Sequence, residues 1–402
     1  MRVKTILVIA GLVIFSSVNV PAYSAISNDV IKIGFITDMS GVFSAVDGPG
    51  GAEAIRMAIT EMGGNITGKK IELLTADHQN KPDVAASKAR EWIDRNDVDM
   101  LIAGTNSSAA LAVAKVAYEK KKIVFVVGAG APALTNEQCS PYTFHYAYDT
   151  TAQARVAGSA VAAAGGKTWF MVTADYAFGI ALENDTAAVV KAAGGTVLGS
   201  VKHPLGASDF SSFMVQAQAS KAQILGLANA GGDSINAVKA ANEFGLMKSM
   251  RIAGLSMYIT DIHALGLQAT QGMYLTDSWH WNISPEARAW SKSFYQKRQG
   301  MPTSLHAADY SAALQYLRAV KATGSDDSEV IISYLKKNKL NDLYLKNGVF
   351  RDDGRVVHDM YLLQVKAPDK SKEPWDYFDV VQTISGDKAF TRKEESKCTL
   401  WK

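Results

Sequence analysis

Short runs of residues that are apolar on both faces, each followed by a polar turn and a stretch with helical spacing, recur along this chain and constrain it more than any other feature. IKIGFIT (31–37) leads to GAEAIRMAITEM, KIELLTA to DVAASKAREWIDR and VDMLIAG to SSAALAVAKVAYE, and IVFVVGAG follows. A strand without polar alternation must be covered on both faces, and a helix between successive strands makes them parallel. The fold class is therefore α/β, with a doubly wound parallel sheet. From Thr168 the same rhythm returns in TWFMVTAD, FGIALENDTAAVVKAAGG, TVLGSVKHPL, AQILGLANAG, SINAVKAANEFG and RIAGLSM. No low-complexity linker separates the two series, so the reading is two Rossmann-like lobes joined by crossing strands. Beyond about Trp281 the pattern is mainly helical, until Asp353-Gly354 marks a hairpin turn in GVFRDDGRVVHDMYLLQV.

A chain of 402 residues, 48% of them hydrophobic, is long enough to fill two cores. Residues 1–25 stand apart. Arg2 and Lys4 precede an apolar run, Thr5 to Phe15, and small residues follow at Ala22, Ser24 and Ala25, the order of a cleaved secretory signal peptide. Neither cysteine follows that run closely enough to carry a lipid, and no later segment approaches roughly 20 uninterrupted apolar residues. The expected location is the periplasm, without an anchor. Removing Arg2 and Lys4 from the net charge of +3 leaves +1, and no basic stripe is present, so nucleic acid is not an expected partner. In an oxidising compartment an even pair of cysteines is more often bridged than free; Cys139 and Cys398 are expected to close a loop of about 260 residues.

Catalytic signatures are weak. Gly128, Gly130 and Ala133 match the dinucleotide pattern G-x-G-x-x-A, but Pro132 and the following LTNEQCSPYT open no helix to hold a pyrophosphate. GGKT at 165–168 has Val161 where a phosphate loop needs its first glycine. There is no nucleophile elbow, and the seven histidines show no metal spacing. The expectation is a non-enzyme without cofactor or metal. More informative is GTNSS (104–108), where a buried strand gives way to a helix. Thr105, Asn106 or Ser107 could simply cap that helix. Alternatively, the unpaired amides of its first turn and the hydroxyls of Ser107 and Ser108 could hold an anion at the carboxyl edge of the sheet.

Over nearly all of its mature length the chain resembles the periplasmic substrate-binding proteins of ABC importers, in the branched-chain amino acid and amide group (type I). IKIGFITDMSGVFSAVDGPGGAEAIRMAITEMGG, GTNSS, GAGAPALT, ADYAFG and QGMYLTDSW carry the likeness by their order and spacing. The resemblance implies a monomer of two lobes, 28–148 plus 280–350 and 149–279 plus 351–402. Three crossings, near 148–150, 276–281 and 347–358, join them. The lobes would close on a ligand and present it to the ABC permease subunits of the membrane. It also implies that Ser107, with Gly128, Ala129 and Gly130 on the next loop, grips a ligand carboxylate. Two departures stand out. Relatives that bind amino acids usually carry a hydroxyl residue where this chain has Gly130, and an acidic residue near Ser256 to meet the ligand ammonium; an aromatic near Ala230 is also missing.

An unpartnered buried ammonium costs several kcal/mol, so amino acids are disfavoured unless Asp47, Asp175 or Asp261 supplies the charge. Phe43, Tyr148, Tyr176, Phe178, Met257 and Tyr258, all at expected strand ends, offer apolar area instead. With Ser256 beside them they suit an aromatic or hydrophobic carboxylate, such as a benzoate or phenylpropenoate derivative. Asp47 or Asp175 would accept from a ligand hydroxyl, unless Asp47 only stabilises the GPGG turn. Two other readings stay open: a binder of branched-chain amino acids or amides, and a module that reports its ligand to a receptor.

Overall fold

The structure is a computed structural model that describes residues 25–401; the expected signal peptide lies outside it except for Ala25. The first sheet contains β1 (Val30–Thr37), β2 (Asn65–Ile66), β3 (Lys69–Asp77), β4 (Met100–Ala103), β5 (Ile123–Val126) and β6 (Thr143–His145), in the order β2-β3-β1-β4-β5-β6. All neighbours are parallel except β2 with β3. Every residue of β4 and β5 is buried, as the unalternating apolar runs require. The helix Gly48–Glu61 packs on the later helix Ser304–Thr323, which returns from the far end of the chain to cover this sheet. That approach needs glycine: a Cβ on Gly50 would lie 2.3 Å from the His306 ring.

β7 (Thr168–Ala174), β8 (Thr196–His203), β9 (Ile224–Ala228) and β10 (Arg251–Gly254) form a second, wholly parallel sheet ordered β10-β9-β7-β8. β9 is buried throughout, whereas β8, at the edge, alternates between exposed and covered residues because only one side meets helices. β11 (Tyr274–Asp277) leaves this lobe. The hairpin β12 (Val349–Phe350) and β13 (Val356–Val357) turns at Asp353-Gly354 as expected, and Phe350 lodges against Phe125, Phe144 and Tyr146 of the first lobe. The chain then enters β14 (Met360–Val365), which pairs antiparallel with both β11 and β15 (Phe378–Ile384).

Two details tie the crossings together. The Ala157 amide donates to Thr276 Oγ1 at 3.0 Å, and that hydroxyl donates to the Gln153 carbonyl at 3.2 Å, so Thr276 is inserted into one rung of the helix after β6. The turn there widens to a π-turn over Ala154–Gly158, the usual result of such an insertion. In the tail beyond β15, Cys398 is bonded to Cys139 of the first lobe, as the cysteine count anticipates. The Lys397 amide donating to Asn136 Oδ1 holds it alongside. Among the described residues no helix is long and apolar enough to cross a membrane.

Candidate functional site

The site is assembled from strand ends. After β4, Asn106 adopts a left-handed backbone (φ 69°) and caps the helix Ser107–Lys120 by accepting from the Ala109 amide at 3.1 Å. Capping therefore falls to Asn106 and leaves Ser107 as the first helical residue. Its hydroxyl oxygen accepts from the amides of Gly130 and Ala131, each at 3.1 Å, which joins the loop after β4 to the loop after β5. With both acceptor positions used, the Ser107 proton is its remaining function. It points as a donor from the positive end of a helix of 14 residues.

The second loop is held at every step. Tyr148 donates to the Gly128 carbonyl at 3.0 Å, His145 Nε2 meets the Ala129 carbonyl at 2.6 Å, and the Thr150 amide donates to the Gly130 carbonyl at 2.9 Å. Burial, with Arg355 nearby, keeps His145 well below the usual imidazole range, so its ring is neutral and Nε2 carries the proton. The expectation that the Gly130 amide faces a ligand is corrected: Ser107 consumes it.

A narrow cavity lies between the lobes, lined by Phe43, Val46, Thr105, Asn106, Ser107, Gly128, Tyr148, Tyr176, Phe178, Ala230, Tyr258 and Leu305. Its rings form a chain from one lobe to the other: Phe43 to Tyr176 at 6.3 Å, Tyr176 to Phe178 at 6.0 Å, Phe178 to Tyr148 at 6.4 Å and Tyr148 to Tyr258 at 6.3 Å. Burial raises the Tyr148, Tyr176 and Tyr258 hydroxyls above the ordinary phenol range, so all three stay neutral. None of the lining side chains carries a charge. The lobes also touch directly, the Gly232 amide donating to the Val42 carbonyl at 2.9 Å.

Ser107, Gly128, Phe43, Tyr148, Tyr176, Phe178 and Tyr258, expected from the sequence, line this cavity, and Ser108, Ala129, Gly130, Asp47, Ser256 and Met257 do not. Asp47 is fully buried in the first lobe, where it accepts from Thr37 Oγ1 at 2.7 Å and the Thr105 amide at 3.0 Å and lies against Asp309. Burial and the neighbouring Asp47 push Asp309 far up, so this pair holds a proton between two carboxyls beneath the loop. Ser256 accepts from Gln153 Nε2 at 2.9 Å, and Met257 belongs to the core of the second lobe. Asp175 pairs with Lys202 at the surface. Thr105 and Asn106 lie in the stretch the sequence singled out but were passed over for the serines; Val46 and Leu305 carry no local signal.

Asp261 accepts from the Tyr258 amide at 2.9 Å, and burial pushes its carboxyl up to about 7. A folded value above the unfolded one, near 3.9, means that the native state binds the proton more tightly. Stability from this group is full below about pH 4 and falls as pH rises toward 7, by up to about 4 kcal/mol. Asp261→Asn is expected to match or trail the parent at pH 4 and to exceed it at pH 8 in urea unfolding. A parent whose advantage over the variant grows with pH would contradict this.

A family model, described as periplasmic binding protein, matches residues 30–372. The chain belongs to the periplasmic binding protein family. That family consists of solute-binding proteins, and two solved structures, 61% and 39% identical, place the chain within it. A periplasmic binding protein from Burkholderia mallei is 61% identical, with a TM-score of 0.91 over 93% of this chain and 100% of that one. A branched-chain amino acid ABC transporter periplasmic ligand-binding protein from Burkholderia xenovorans LB400 is 39% identical, with a TM-score of 0.80 over 92% and 99%. A solute-binding protein of an ABC transporter from R. palustris, in complex with benzoate, is 20% identical with a TM-score of 0.81 over 92% and 100%, a likeness of fold.

Proposed function

We propose that this periplasmic binding protein is the solute-binding component of an ABC importer and closes its two lobes on a small aromatic or hydrophobic carboxylate. In this reading it is secreted to the periplasm by cleavage of the first 25 residues, works as a monomer and delivers its ligand to the membrane permease. One observation carries the choice of ligand: a cavity walled by five aromatic rings and by the Ser107 hydroxyl at a helix N-terminus, with no charged side chain in its lining. Helix dipole and hydroxyl donors favour an anion. The rings suit a flat apolar body by offset and edge contacts. A fold that accommodates benzoate in R. palustris is compatible with this.

The B. xenovorans protein favours the second reading, a branched-chain amino acid. Against it stands the ligand ammonium, which would enter this cavity without a carboxylate partner at a cost of several kcal/mol. Calorimetry decides between them. Benzoate-type acids are expected to bind and leucine to give no heat. Ser107→Ala should weaken the acid by roughly 10- to 150-fold, the value of a charge-assisted hydrogen bond. Micromolar leucine binding without a response to aromatic acids reverses the assignment.

A further inference from the structure

The loop after β1, residues 38–47, carries the direct contact between the lobes: the Val42 carbonyl accepts from the Gly232 amide at 2.9 Å, and the Phe43 ring lies 6.3 Å from that of Tyr176. The loop is shaped by the buried Asp38 carboxyl, which accepts from the amides of Gly41 at 2.6 Å and Phe43 at 3.0 Å. The Phe43 N–H and the Val42 carbonyl belong to one planar peptide group. Asp38 therefore holds on one edge the same unit that the second lobe meets on the other. Asp38 also accepts from Asn80 Nδ2 at 2.7 Å, and Asn80 Oδ1 accepts from Asn106 Nδ2 at 3.1 Å. Asn106 caps the helix that Ser107 opens. Polarisable amides thus run in an unbroken hydrogen-bonded chain from the Ser107 end of that helix to Gly232, an arrangement in which each bond strengthens the next. Asn80 is its middle link and does not line the cavity. Its placement is over-determined. Gln79, Asn80 and Asn106 all hold left-handed backbones, at φ 51°, 58° and 69°, a conformation that asparagine tolerates better than most residues. The Asn80 amide donates to His78 Nδ1 at 3.0 Å, which leaves the ring proton on Nε2 for the Thr105 carbonyl at 2.9 Å. A second bridge, Asp47, accepts from the Thr105 amide and donates its own amide to the Phe43 carbonyl, so it fixes the loop one peptide further on.

We propose that Asn80 is a positioning residue that couples the Ser107 seat to closure of the lobes, by orienting the 42–43 peptide group for the Gly232 amide. It acts through Asp38 on one side and Asn106 on the other and touches no ligand. The seat's role in this coupling rests on the reading of the cleft as a carboxylate site.

The test joins calorimetric titration with benzoate to amide hydrogen exchange without ligand, on the full chain and on variants at residues 80 and 232. Asn80→Gly keeps the left-handed backbone and removes the side chain. It should weaken benzoate by about 5- to 30-fold and speed exchange of both the Phe43 and the Ala109 amides, while the Thr105 amide, held by Asp47, keeps its protection. Asn80→Asp retains the acceptor for Asn106 but loses the donor to Asp38, so it should release Phe43 and spare Ala109. Gly232→Pro deletes the donor in the second lobe at the first position of a helix, where proline is tolerated. In that background Asn80→Gly should cost about 2-fold or less, because the peptide it orients has lost its partner. A residue that merely stabilised the first lobe would cost the same factor in both backgrounds. That outcome, or unchanged Phe43 exchange in Asn80→Gly, overturns the inference while the carboxylate reading stands. A parent that binds no benzoate removes the carboxylate reading; exchange then decides the inference alone, faster Phe43 and Ala109 amides supporting it and unchanged rates ending it.

Discussion

Replacing Cys139 and Cys398 together by serine is expected to destabilise the protein by about 5 kcal/mol, the chain-entropy value for so long a loop. In a chain of this size the melting temperature should fall by roughly 5 to 10 °C. The bond joins residues separated by 259 positions, so in its absence the unfolded chain recovers the freedom of about two thirds of the mature length. The folded tail keeps other attachments: the Arg155 guanidinium donates to the Phe390 carbonyl and pairs with Glu395, and Phe390 lies under the Arg355 guanidinium. The loss should therefore appear in global unfolding and leave ligand affinity nearly intact, because neither cysteine lines the cavity. Differential scanning calorimetry with and without reductant checks it. An unchanged transition would mean that the noncovalent attachments alone set the tail's contribution.

How far the fold was legible follows from what each segment has to satisfy. β4, β5 and β9 are buried on both faces, and residues such as Leu101, Ile102, Val124 and Leu227 declare it without ambiguity. β8 reads less clearly because its edge position lets Leu198 face solvent. β6 has three residues, too few for any period to show, and it is placed by pairing with β5. The Asp353-Gly354 turn was visible. The break after Val357 has no local signal and is expected only from the crossing that the family resemblance puts near 347–358; there a His358 ring nitrogen meets the Tyr146 carbonyl at 3.0 Å, and the chain changes sheets.

At the site, ring-bearing residues at strand ends were legible because ligands of such sheets bind at that edge. The direction of individual side chains after β10 was not. Ser256, Met257 and Tyr258 are consecutive, and they face Gln153, the second-lobe core and the cavity in turn. Asp47 misled for a related reason. An acid beside a glycine-rich turn looks available until the long-range contacts with Thr37, Thr105 and Asp309 are known.

Gly130→Thr, which places at this position the hydroxyl that the family resemblance implies for amino-acid binders, is expected to weaken ligand binding rather than strengthen it. A Cβ at residue 130 would lie 2.7 Å from Tyr148 Cε2 and 2.9 Å from Phe178 Cε2. Neither ring has room to retreat: Tyr148 is tied to the Gly128 carbonyl, and Phe178 is wedged between Tyr148 and Tyr176. Overpacking of this kind costs about 1 to 3 kcal/mol. Phe178 stands on the second lobe and Gly130 on the first, so much of that cost arises only when the lobes are together. A cost confined to the closed form is subtracted directly from binding, which converts it into a loss of about 5- to 150-fold in affinity. Adding Phe178→Ala to Gly130→Thr should recover part of the loss, although Phe178→Ala alone removes ring contact and weakens binding. Calorimetry on the two single variants and the double variant measures the coupling between the sites. Strictly additive effects would show that the ring and the residue at 130 do not compete for one volume. A positive coupling would show that aromatic surface and a side chain at residue 130 compete for the same space, which accounts for glycine at this position.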